Sequence, residues 1–104
     1  MAQFDIHENV NENTNGQYPY LLEVQSDVFE DSSRSVYVPL VLSKALKRPD
    51  KTFNPEFNVS GIEVRMFPLD IASAPRAIVG ASVANVKNES DTVVAALDLL
   101  FARF

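Results

Sequence analysis

Only one stretch of this 104-residue chain sustains a helical apolar period, and it lies at the end. Val93, Leu97, Leu100, Phe101 and Phe104 follow one another at 4, 3, 1 and 3 residues, the spacing of one apolar stripe. Asn88, Glu89, Ser90 and Asp91 ahead of it offer capping side chains and acidic charge for the positive end of the helix dipole. Arg103 supplies a cation for the other end. Everything earlier reads as short runs of period two, broken by prolines and turn residues. This pattern predicts a mainly β (α+β) domain: a small twisted sheet or barrel with one helix packed on it. An apolar chain end either docks into the core or faces a partner, and Phe101 and Phe104 share one side of the helix.

The strands can be placed in outline. Gln3–His7 alternates with Phe4 and Ile6 inward, and Tyr18–Val24 puts Tyr18, Tyr20, Leu22 and Val24 on one face. Val36–Leu42 is rich in strand formers, with Pro39 predicting an edge or a bulge. Phe57–Val59 and Ile62–Phe67 read as a pair around Ser60-Gly61. Ala77–Gly80 reads as a last short strand. Asn15-Gly16, inside the asparagine-rich stretch 8–17, is a hairpin signal. Ser43 to Asn54 is mostly loop, and residues 1–104 are expected to form one domain.

Composition narrows the function more than it defines it. There is no cysteine, which excludes disulfides, thiol catalysis and cysteine-ligated metal. The single histidine, His7, excludes a multi-histidine metal site and is expected at a surface or sheet edge. The three glycines stand apart at 16, 61 and 80, so no phosphate-cradling loop exists. No catalytic group, metal or cofactor is expected. The net charge of −5 disfavours direct nucleic-acid binding. Lys44, Lys47, Arg48 and Lys51 could touch phosphate, but a solvated loop is the simpler reading. No apolar run approaches the roughly 20 residues of a membrane span, and no signal segment is visible, so a cytoplasmic location is expected.

Two polar segments interrupt the apolar pattern. In Gln25-Ser26-Asp27, Ser26 or Asp27 is expected to bond backbone groups where the strand bends. In Asp70-Ile71-Ala72-Ser73-Ala74-Pro75, Asp70 and Ser73 are expected to tie down an irregular crossing.

Taken in order, these segments resemble the CcdB family of bacterial toxins. The resemblance rests on Phe4, Val24-Gln25-Ser26-Asp27, Arg34 with Val36-Tyr37-Val38-Pro39-Leu40, Arg65-Met66, residues 70–75 and the apolar C-terminal helix, and it runs nearly end to end. It implies an SH3-like antiparallel barrel or sheet with a C-terminal helix, forming a homodimer. It also implies a non-enzymatic toxin that binds the A subunit of DNA gyrase and traps the enzyme on cleaved DNA. A cognate CcdA-like antitoxin would neutralise it. No membrane and no sequence-specific nucleic-acid contact is implied.

Carried over position by position, the resemblance assigns gyrase contact to Val28, Phe29, Asp98, Phe101, Ala102, Arg103 and Phe104. The best-known members end in Trp-Gly-Ile where this chain has Ala102-Arg103-Phe104. Truncating a buried interface aromatic costs roughly 2 to 4 kcal/mol of binding. The alternative implied is a CcdB-like protein that keeps its dimer and antitoxin but has lost or changed its gyrase target. Related toxins of this fold cleave RNA. Here only Arg34, Arg65, Asp70 and His7 could serve such chemistry, and they show no clustering in sequence. The antitoxin surface is open between loop 8–17 and the basic stretch 44–51.

Overall fold

The computed structural model describes residues 2–102. Seven strands form one sheet: β1 (Asp5–Glu8), β2 (Tyr20–Glu23), β3 (Arg34–Leu42), β4 (Glu56–Val59), β5 (Ile62–Met66), β6 (Ala72–Pro75) and β7 (Ser82–Asn85). The helix α1 spans Ser90–Phe101. The sheet runs β4-β5-β3-β2-β1-β7, with β6 joined to β3, and every pairing is antiparallel. The architecture is the expected one: mainly antiparallel sheet with a single C-terminal helix.

The core lies between the sheet and α1. Ile6, Leu22, Val38, Leu40, Phe57, Val59, Val64 and Met66 meet Val93 and Ala96 of the helix. The strands β3, β4 and β5 each contribute two residues in alternation, and β1 and β2 one each, as a half-buried sheet requires. Leu97 packs against this cluster partly buried, so the docked stripe is 93, 96 and 97, the i, i+3, i+4 spacing.

Pro39 sits inside the longest strand, not at an edge or a bulge. Its carbonyl accepts from Phe67 N at 2.9 Å, so its nitrogen faces the same side. On that side, β5 pairs with residues 40–42 and β6 with residues 34–37. The missing N–H therefore falls where one partner strand hands over to the next, and no ladder bond is lost there.

Other expectations change as well. The only two-residue hairpin turn described with left-handed backbone is Ser60-Gly61, at φ 52° and 86°, between β4 and β5. Gly16 has no positive φ. The segment around it is helical turns instead, with Asn15 N donating to Asn11 O at 2.8 Å and Tyr18 N to Thr14 O at 2.8 Å. Ala77–Gly80 is not a strand: Arg76–Ile78 is a 3-10 turn, and the strand follows at β7. Its short stretch Ser82-Val83-Ala84-Asn85 is edge strand with Val83 exposed, so it carries little apolar signal. Residues 72–75, expected to be irregular, form β6.

The helix is entered through a 3-10 turn over Lys87–Glu89, and Glu89 at its N-cap makes no side-chain capping bond. It ends at Phe101, where Ala102 turns extended. Arg103 and Phe104, and the expectations placed on them, lie outside the described residues.

Candidate functional site

The candidate contact residues fall on two exposed elements. The first is the loop between β2 and β3. Ser26 Oγ accepts from Val28 N at 3.2 Å and caps a 3-10 turn over Asp27–Phe29. Asp27 Oδ1 accepts from Gln3 N at 2.8 Å, and Gln25 Nε2 donates to Arg34 O at 3.1 Å. The polar interruption thus does what its composition suggested: it fixes backbone at a bend. The bend turns Val28 and Phe29 outward, 83% and 60% exposed. Apolar side chains so exposed on a hydrogen-bonded turn contribute nothing to the core.

The second element is the end of α1. Phe101 is 74% exposed, and Asp98 and Ala102 are also exposed. The structure does not bring the two elements into one cleft. Asp27 shares a cleft with Gln3, Phe4, Asn85, Lys87 and Asn88, ahead of the helix. Phe101 lies a further 12-residue helix away, about 18 Å along its axis.

The groups considered for RNA cleavage are dispersed and occupied. Arg34 Nε donates to Ser73 Oγ at 3.0 Å. Arg65 Nη1 donates to Asn54 O at 2.7 Å. Asp70 accepts from the Tyr18 hydroxyl, which together with partial burial pushes that phenol up to about 12. His7 is fully buried, contrary to its expected place at a surface or edge. β1 lies between β2 and β7, which puts His7 on an interior face where Tyr37 meets it edge-on, with ring centres 5.8 Å apart.

Sequence reasoning missed the network around that histidine. His7 Nδ1 lies 3.1 Å from Gly80 O and Nε2 lies 2.9 Å from Glu23 Oε1. Both ring nitrogens thus lie within hydrogen-bond distance of an oxygen. Glu23, only 1% exposed, also accepts from Ser35 Oγ at 2.8 Å and from Arg76 Nη1. Burial, then the Glu23 carboxylate, push the Tyr37 phenol up. Its buried hydroxyl has no partner among the described residues. The signal in sequence was Glu23 itself, a carboxylate inside an apolar strand.

Asp5, His7 and Glu23 bring one ligand-type atom each within 4.8 Å of one another. That geometry does not suit a cation. Both histidine nitrogens are engaged, and the Glu23 carboxylate is already met by a guanidinium. The cluster is an internal ion-pair network.

The basic residues Lys44, Lys47, Arg48 and Lys51 are all exposed, the solvated loop of the simpler reading. Loop 8–17 and the start of that stretch border one cleft, with Gly16, Gln17 and Tyr18 on one wall and Ala45 and Leu46 on the other. No helix among the described residues is long and apolar enough to cross a membrane.

The CcdB protein family matches residues 3–102, a span that takes in every strand, the pinned loop and the helix. The chain belongs to the CcdB family.

Proposed function

We propose that this chain is the toxin of a type II toxin–antitoxin module, acting in the cytoplasm as a homodimer. It binds the A subunit of DNA gyrase and holds the enzyme on cleaved DNA, and a CcdA-like antitoxin relieves it. The observation that carries this reading is the exposed Val28–Phe29 pair on a pinned loop in a chain of this family. Val28, Phe29, Asp98, Phe101, Ala102, Arg103 and Phe104 form the gyrase contact. The reaction trapped belongs to gyrase, so the toxin contributes surface and no catalytic group, cofactor or metal.

The test is direct. Expression should kill cells and induce the DNA-damage response, and purified chain should bind a gyrase A fragment. Absence of binding at high micromolar concentration would end this reading for the gyrase tested.

A second reading is favoured by the residue types at Ala102, Arg103 and Phe104. Here the dimer and the antitoxin site persist, but the gyrase target is lost or changed. An alanine lacks the contact area of an interface tryptophan, and an arginine adds charge that must stay solvated or find a carboxylate. Replacing 102–104 by Trp-Gly-Ile should then create toxicity absent from the parent. A parent already fully toxic through gyrase excludes it.

A further inference from the structure

The loop carrying Val28 and Phe29 is tied to the sheet at two places far apart in sequence. Its start is held by Gln3 through Asp27. Its end is held by Arg76. The Arg76 N–H donates to Ser33 O at 2.9 Å, and its Nε donates to Ser32 O at 2.8 Å. The same guanidinium turns Nη1 to Glu23 Oε2. Two directions of its planar donor fork are thus used at once, one towards the loop and one towards the sheet interior.

Glu23 is a rigid base for that fork. It is nine-tenths buried or more and is fixed from β1 by His7 Nε2 and from β3 by Ser35 Oγ. His7 is fixed in turn by Gly80 O. Apart from Arg76 N–H to Ser33 O at its end, the loop's backbone bonds are short-range: Phe29 N to Ser26 O, Glu30 N to Asp27 O and Ser32 N to Phe29 O. A segment with such local bonding and so much exposed surface opens readily unless its ends are held.

We propose that Arg76 is a positioning residue for the Val28–Phe29 anchor. The buried Glu23–His7 pair orients its guanidinium, the guanidinium fixes Ser32, and the loop meets its partner already ordered. Association then avoids the entropy of ordering those two side chains and their turn. This rests on the gyrase-contact reading of Val28 and Phe29.

The experiment uses the full chain with Arg76→Lys, which keeps a cation for Glu23 but loses the fork. Arg76→Gln, which keeps an amide donor, is the second variant. Hydrogen exchange on the unbound protein should accelerate at least about tenfold at Phe29, Glu30 and Ser32, while Val24 and Met66 keep parental rates. Affinity for a gyrase A fragment should fall about tenfold. In a Phe29→Ala background the Arg76 substitution should change affinity much less. Unchanged exchange at 29–32 in a folded variant overturns the proposal. So does a loosened loop that binds as tightly as the parent. If the parent itself fails to bind the fragment, the gyrase reading fails, and the exchange rates still decide whether Arg76 orders the loop.

Discussion

Replacing Glu23 with glutamine should be among the most destabilising single-atom changes in this chain. The side chain is only 2% exposed and is met by His7, Ser35 and Arg76. Glutamine keeps the volume but loses the charge, and one of the two acceptor oxygens becomes a donor NH2. Converting a buried pair to a lone buried cation costs about 3 to 5 kcal/mol, because the remaining charge is uncompensated. The Arg76 side chain is 12% exposed and can recover some solvation. The low end, about 3 kcal/mol, is therefore the expectation. A domain of this size has about 5 to 15 kcal/mol in total, and 1 kcal/mol moves Tm by roughly 4 to 8 °C. Thermal unfolding at fixed protein concentration should show Tm lowered by about 12 to 24 °C. Glu63→Gln, on an exposed strand position, is the control and should stay within about 0.5 kcal/mol. A Glu23→Gln shift below about 3 °C would refute the claim that this carboxylate compensates the Arg76 guanidinium.

The remaining expectations separate fold from binding and test one surface contact. Phe101→Ala should leave stability within about 0.5 kcal/mol, since the ring is 74% exposed, yet on the proposed gyrase reading cost about 2 to 4 kcal/mol of affinity by titration calorimetry. Val93→Ala, at a fully buried position, should do the reverse: lower Tm, with residual binding per folded molecule unchanged. Asp70→Asn should bring the Tyr18 phenol down from about 12 towards its ordinary 10, read from tyrosinate absorbance. The sign follows from the raised value. The contact stabilises the neutral phenol, so its contribution is full below pH 10 and is lost as pH rises towards about 12. An unchanged titration in Asp70→Asn excludes that contact.

Elements with strong local signals were legible in the sequence, and those decided by long-range partners were not. The Ser60-Gly61 hairpin, the β2 and β3 segments and the helix each follow from turn chemistry or apolar period. Asn15-Gly16 carries an equally strong signal, but the eleven residues 9–19 between β1 and β2 make their own helical turns. Pro39 reads as an edge only when the handover between two partner strands is unseen. His7 reads as surface because its partners, Glu23 and Gly80, are 16 and 73 residues away. A contact role for Val28 and Phe29 follows only from the family resemblance, and their exposure from the Ser26 cap.

Gly80 offers a handle for genetics. A Cβ there would stand 2.6 Å from Glu8 O and 2.9 Å from a Val10 methyl, closer than atoms tolerate. The same residue donates its N–H to Glu8 O and gives its carbonyl to His7. One added methyl group would therefore push the 80 segment away from β1 and loosen the His7 contact together. Gly80→Ala should fold in the cold and fail with warming, so the encoded protein would be active or harmless according to growth temperature. On the proposed toxin reading, survival of a plated strain across a temperature gradient would score such a conditional allele without any purified component.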